Sequence, residues 1–303
     1  MVRDVAAGEA QAAAALDVIA HVGADAILLL DVDWDAGGAG LAALQQALAD
    51  RGLPYPYGYA GRPNAGAPSG LDLDGDGRRG RARDALGYGR FTGDGGLALL
   101  SRWPVAVEAP NPLWAEVSPE APALLPQGGA AVVPLATAAQ WVVALDAPGG
   151  PVTLVTLAAG TPVFDGPEDR NGLRNRDELR FAARLATEAA DPVVVLGRAN
   201  VDPADGEGRR DGLAALLDHP RLADPRPRGG GGGGAGHAGD PALDTAAWEG
   251  PGPLRVDYVL PDRAFEVVGS GVLWPVDGPM ADAVAAAGPG RAVWVDLRRR
   301  SPP

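Results

Sequence analysis

The chain predicts an α/β fold on three observations. Short apolar runs of strand length recur, alanine-rich or amphipathic helical stretches alternate with them, and 46% hydrophobic with 21% charged residues is a globular composition. At 303 residues a layered α/β arrangement is expected to form one domain, residues 1–303.

Ala10–Val22 is alanine-rich with Leu16, Ile19 and Ala20 on one face, and it leads through Gly23 into the apolar run Ala26–Leu30: a helix, then a buried strand. Leu41–Asp50 reads as a second helix closed by Gly52 and Pro54. Residues 54–96 are crowded with Gly, Pro, Asn and Asp and form a long loop insertion. Strands are expected at Leu97–Leu100, Ala131–Leu135, Trp141–Leu145 and Val152–Leu157, at the spacing of a meander. An amphipathic helix over Asn175–Ala189, a buried strand over Pro192–Leu196 and a helix over Asp211–Leu217 resume the alternation. Residues 226–239 hold six consecutive glycines, Gly229–Gly234, and are expected to be a flexible surface loop, because each glycine loses much backbone entropy on ordering. The run lacks the Lys and Ser/Thr of a phosphate cradle. The last strands are Leu254–Leu260, Phe265–Val268 and Ala292–Leu297.

No apolar run approaches the ~20 residues that span a bilayer, and Met1 to Ala7 lack the apolar core of a secretory leader. A soluble monomer without membrane contact is expected, cytoplasmic by default and secreted if the coding region starts upstream of Met1. The absence of cysteine excludes disulfides and thiolate metal sites. All 26 basic residues are arginine, and a net charge of −13 works against binding a polyanion through a basic face.

Asp72-Leu73-Asp74-Gly75-Asp76-Gly77 matches the first half of a calcium loop, with acidic groups at alternate positions and glycine at the turn. The twelfth position is Arg83, and Asp84 is the nearest acidic substitute. The alternatives are calcium held by Asp72, Asp74 and Asp76, or a plain Asp/Gly turn. Asp165, Glu168, Asp169, Arg170 and Asn171 stand before a helix, either as its acidic cap or with Arg170 and Asn171 contacting substrate at a cleft mouth. Trp34, Tyr55, Tyr57, Tyr59, Tyr88 and Trp114 read as loop anchors or as stacking surfaces.

Taken together, Leu28–Asp35, Pro68–Asp74, Val163–Gly172, Gly197-Arg198-Ala199-Asn200-Val201-Asp202-Pro203 and Arg255-Val256-Asp257-Tyr258-Val259-Leu260 resemble a bacterial branch of the endonuclease/exonuclease/phosphatase superfamily, in the family's order, over about residues 10–297. The resemblance implies a four-layer α-β-β-α sandwich, two mixed sheets face to face with helices outside, and phosphoester hydrolysis with a divalent metal, usually magnesium. It implies a phosphorylated small molecule or nucleic acid as partner. The family's metal-holding Glu corresponds to Asp31, one methylene shorter. The water-orienting Asp of its Asp-x-Asn corresponds to Arg198, with Asn200 retained on the phosphate-contacting position. The terminal Ser-Asp-His corresponds to Gly288-Pro289-Gly290, so Gly290 stands for a transition-state His, next to Arg291 as a substrate contact. A second family His corresponds to Ala158, and Asp257, which in relatives holds the terminal His, is left without it. The three histidines, His21, His219 and His237, all lie elsewhere.

A guanidinium where relatives bind a cation predicts an ion pair of Arg198 with Asp31 or Asp257, while Asp257, if buried, is expected to find a donor such as Arg291 or Tyr258 or else to become protonated. Three functions follow as alternatives: a pseudoenzyme retaining the sandwich for binding, an active magnesium-dependent phosphodiesterase or endonuclease with an altered site, and a calcium-stabilised binding domain.

Overall fold

The computed structural model describes residues 9–234 and 236–300; the opening stretch read above for a leader lies outside them. Helix α1 (Ala10–Val22) ends where Gly23 turns left-handed at φ 60° and donates its N–H to the Ile19 carbonyl, a cap an L side chain disfavours. Strand β1 (Ala26–Val32) and helix α2 (Ala39–Ala49) follow, then β2 (Tyr57–Tyr59) and β3 (Gly96–Ser101). These strands form an antiparallel sheet in the order β1-β3-β2.

The second sheet starts with β4 (Val105–Glu108) and, after short helices α3 (Trp114–Val117) and α4 (Ala121–Leu124), continues through β5 (Val142–Ala147) and β6 (Gly150–Ala158). Helix α5 (Arg170–Glu188) crosses over to β7 (Val193–Arg198), parallel to β6. Helix α6 (Arg210–Leu217) and the small pair β8 (Ala246–Trp248) and β9 (Gly252–Leu254) precede β10 (Asp257–Pro261), which completes the order β10-β7-β6-β5-β4. The chain closes with the antiparallel pair β11 (Phe265–Leu273) and β12 (Ala292–Arg299), joined through α7 (Pro279–Ala287). Among the described residues no helix is long and apolar enough to cross a membrane.

The cores show how the layers stack. Leu97 and Leu99 of β3 pack with Val143, Leu145, Leu154 and Val194 between the two sheets. Leu16, Ile19, Leu44 and Leu48 of α1 and α2 cover the first sheet at Leu100. Leu179, Ala182 and Ala186 of α5, with Leu213 and Leu216 of α6, cover the second at Val155, Val193 and Val195. The result is the four-layer sandwich, in which β3 and the middle of β6 bury both faces and hence read as continuous apolar runs.

Three sequence expectations are corrected. Ala131–Leu135 forms no strand: it follows a 3-10 turn at Gly129–Ala131, and Val133 and Leu135 exchange backbone hydrogen bonds with residues 112–114 instead of a sheet. The apolar run signalled burial, which is present, and burial alone does not select a ladder. The expected meander divides, because β3 joins the first sheet and the meander runs β4-β5-β6. Leu254–Leu260 breaks at Arg255-Val256 into β9 and β10. In the glycine-rich segment, Gly229 donates to the Ala242 carbonyl and Gly230 to the Trp274 carbonyl.

Candidate functional site

The site is assembled where three neighbouring strands of the second sheet meet a bulge in the first. Arg198 ends β7, flanked in register by Ala158 of β6 on one side and Asp257 of β10 on the other. Gly197 before it has φ 125°, and a Cβ there would fall onto the Leu157 carbonyl, so only glycine lets β7 approach β6 at this point. Across the sandwich the β1–β3 register shifts between Leu30 and Val32. The extra residue is Asp31, left-handed at φ 58°, whose side chain is 76% exposed. Such a bulge re-aims one side chain out of the ladder, and Asp tolerates the left-handed region.

The expected ion pair forms with both carboxylates: Arg198 Nε donates to Asp257 Oδ1 at 2.9 Å and Nη1 to Asp31 Oδ2 at 2.9 Å. The guanidinium lies 5.9 Å from the Trp248 ring, and a Cβ on Gly290 would stand 2.9 Å from its Nη2. Burial opposes the charge on Arg198, yet Asp257 and Asp31 hold it above its ordinary range. Asp257 is raised as well, because its burial outweighs the draw of Arg198. Its Oδ2 is buried without a hydrogen-bond partner. The donor proposed for Asp257 is thus corrected: Arg198 supplies it, while Tyr258 donates its hydroxyl to backbone carbonyls and Arg291 donates to the Gly288 carbonyl.

This geometry does not fit a magnesium ion. The ion needs near-octahedral oxygen ligands at about 2.1 Å. Asp31 Oδ2 and Asp257 Oδ1 both accept from a fixed guanidinium, and Asp257 Oδ2, a buried oxygen without a partner, belongs to a carboxylate already neutralised by it.

Asn200, at φ 56°, donates its Nδ2 to the Ala159 carbonyl, tying the ends of β6 and β7. Arg170 donates to the Leu73 carbonyl and Asn171 Nδ2 to the Val163 carbonyl. Helix α5 starts at Arg170, earlier than expected, and Asp165 accepts the backbone N–H of Asn171 to cap it. Arg291 stacks over Trp274 at 4.4 Å and keeps a buried Nε without a partner. Asp76 leaves the acidic cluster to pair with Arg81, and Asp84 replaces it: carboxylate oxygens of Asp72, Asp74 and Asp84 lie within 4.8 Å of one another. Asp72 and Asp84 also accept loop amides, so the turn is held by its own hydrogen bonds. Tyr55, Trp34 and Trp114 bond into the fold, to Ala24, Ala60 and Asp177, as anchors do, while Tyr88 is exposed. None of the histidines reaches the cleft: His21 ends α1, His219 meets Thr187, and His237 lies 3.5 and 3.6 Å from Asp205 and Asp244.

Sequence reasoning missed Thr245, whose hydroxyl oxygen accepts the N–H groups of Val256 and Asp257, and Trp248 beside Arg198. It also missed Glu178, a buried carboxylate accepting the N–H of Thr137 and Gly160 directly after β6. Burial raises Glu178 to about 7 despite Arg174, and lowers Arg174 to about 10, still cationic at neutral pH. A group raised from 4.5 to about 7 leaves the folded state holding a proton the unfolded chain has released. Stability should therefore fall by roughly 3 kcal/mol as pH rises from 4.5 to 7. Glu178→Gln, which loses one acceptor, is expected to be less stable at pH 4.5 yet to lack this slope; parallel stability–pH curves for the two proteins would contradict it.

No curated protein sequence matches the chain. The fold is similar to the endonuclease/exonuclease/phosphatase from Beutenbergia cavernae (20% identity, TM-score 0.61), covering 96% of this chain and 66% of that one, so the chain spans about two thirds of that protein's length. It is also similar to the 3′ phosphatase NExo from Neisseria bound to a product DNA hairpin (15% identity, TM-score 0.53, covering 96% and 95%). The human Nocturnin catalytic domain with bound sulfate is a third (15%, TM-score 0.51, covering 97% and 87%). At these identities the likeness speaks for the fold. Residues 3–291 match the profile of the Endonuclease/Exonuclease/phosphatase family, and the chain belongs to that family.

Proposed function

We propose that this chain uses the phosphoesterase fold to recognise a phosphorylated ligand without hydrolysing it through a metal. The observation that carries the reading is the guanidinium of Arg198 bonded to Asp31 and Asp257, a fixed cation among the carboxylates. Acid/base groups contribute typically ~10²- to 10⁴-fold each, and the positions corresponding to both family histidines are Ala158 and Gly290. Phosphate recognition is supported by Arg291, which follows Gly290 in the chain and has no carboxylate partner among the described residues. The net charge of −13 favours a small phosphoester over a long nucleic acid.

The test is hydrolysis of bis(p-nitrophenyl) phosphate and plasmid DNA with magnesium or manganese, paired with calorimetric titration of ribose 5-phosphate. Binding without turnover above a blank is expected. Turnover that disappears in Asp31→Ala would instead establish an active enzyme with an altered site.

A further inference from the structure

His237, in the glycine-rich segment, is a buried polar group whose surroundings leave it unsatisfied. Its side chain is 9% exposed, and its Nε2 has no hydrogen-bond partner among the described residues. An unpaired polar atom in the interior costs free energy, so the position calls for a partner. Two carboxylates approach it: Nε2 lies 3.5 Å from Asp205 Oδ2 and 3.6 Å from Asp244 Oδ1. Both separations exceed a hydrogen bond, which brings nitrogen and oxygen to about 2.9 Å.

The backbone keeps the three side chains together. Asp205 accepts the N–H groups of Ala238 and Gly239, just after His237, and Asp244 Oδ2 accepts that of Gly233, before it. Two aspartates thus grip the segment across the histidine. Glycine permits so close an approach: at Gly232, φ 96°, a Cβ would fall on the Pro241 carbonyl, and at Gly239 one would stand 2.9 Å from Asp205 Oδ2.

A cavity of ≈ 220 Å³ opens here, with His237, Asp202, Asp244 and Leu243 in its wall. The arginines nearby are engaged elsewhere. Arg255 pairs with Asp224 and Arg228 with Asp240, while Arg210 donates to the carbonyls of Ala204, Asp205 and Gly206. Arg226 also lines the cavity, and its field falls on Asp224 and Asp240. Among the described residues neither Asp205 nor Asp244 has a guanidinium within ion-pair distance. Burial first, and beyond it the like charges of Asp202 and Asp205, hold Asp244 above the ordinary carboxylate range, although the Gly233 N–H and His237 draw it down. The cluster lacks a cation.

We propose that His237, Asp205 and Asp244 bind a zinc ion at the wall of this cavity. An ion held by imidazole nitrogen and carboxylate oxygens at about 2.0–2.2 Å sets neighbouring donors about 2.9–3.4 Å apart, close to the 3.5 and 3.6 Å found here. Binding draws both carboxylates in toward the imidazole, a closure that the glycines of the segment allow. The nitrogen ligand selects against magnesium and calcium, which take oxygen, and manganese stands at the weak end of the divalent series. Three protein ligands leave a fourth position, and the cavity has room for the water that fills it.

The experiment titrates zinc chloride into the Asp74→Asn chain, in which the separate acidic cluster is disabled, and into the same chain carrying His237→Ala or Asp244→Asn. Asp244→Asn removes the charge yet keeps an oxygen for the Gly233 N–H, so it reports on the site even where His237→Ala folds poorly. Zinc at one hundred times its Kd should raise the Tm of the parent by about 5 °C. Each variant should weaken zinc binding by more than about a hundredfold, since a ligand counts for more than an outer-shell partner. Magnesium, calcium and manganese at the same concentration should leave Tm unmoved. No rise with zinc, or a rise that survives both substitutions, overturns the site, and an equal rise with manganese overturns the zinc assignment.

Discussion

Arg198→Ala is expected to destabilise the fold by about 3–5 kcal/mol at pH 7, the range for removing one partner of a buried ion pair. The expectation turns on the unequal burial of its two carboxylates. Asp257 is 9% exposed with an orphaned second oxygen, so without the guanidinium it has no compensating charge; Asp31 is 76% exposed and would simply be hydrated. Asp31→Ala should accordingly cost about 0–1 kcal/mol. The pH dependence follows from the direction of the Asp257 shift. Burial already raises its folded carboxyl above the unfolded value of 3.8, and losing Arg198 raises it further. A raised carboxyl makes the folded state bind the extra proton, so stability is retained at low pH and lost as pH rises through the folded value. The penalty of Arg198→Ala should be full near pH 8 and shrink toward pH 4. Urea unfolding at the two pH values measures it, and a penalty that grows on acidification would contradict the assignment of Asp257 as the stranded group.

What was legible in the chain follows from how local the cause is. Helix α1 was read to the residue, because an alanine-rich face ends at a glycine that turns left-handed. The apolar runs of β1, β3, β6 and β7 were visible because both faces are buried. Val105–Glu108 was missed as a four-residue edge strand, and Pro279–Ala287 as a helix despite a proline in its first turn. The Arg198 pair could be anticipated because a charge reversal among carboxylates has few electrostatic solutions. Glu178 could not: Asn175-Arg176-Asp177-Glu178 is a polar run inside an amphipathic helix, yet all four residues are buried, held by partners at residues 114, 137, 160 and 199. Hydropathy does not distinguish a charged face in water from one covered by a distant loop. Thr245 and Trp248 reach the site from a small two-stranded pair with no local signature.

Restoring a cation site should require two changes that depend on each other. Arg198→Asp would set three carboxylates, at positions 31, 198 and 257, around space the guanidinium now fills; it should destabilise the metal-free protein and be rescued by manganese. A cation that binds only the folded state stabilises it by about 2.7 kcal/mol at one hundred times its Kd. The measurement belongs in an Asp74→Asn background, which disables the separate Asp72–Asp74–Asp84 cluster. In that background Tm should rise with manganese for Arg198→Asp and stay flat for the parent. Gly290→His alone should destabilise, because a Cβ there stands 2.9 Å from Arg198 Nη2 and the imidazole would displace the guanidinium from its carboxylates. Combined with Arg198→Asp, which clears that space, the same substitution should cost less, giving a coupling of about 0.5–3 kcal/mol in a double-mutant cycle. Additive effects would mean that residues 198 and 290 act independently. A manganese-dependent rise in Tm of the Asp74→Asn parent that vanishes with Asp31→Ala would show that Arg198 yields its place to a metal after all.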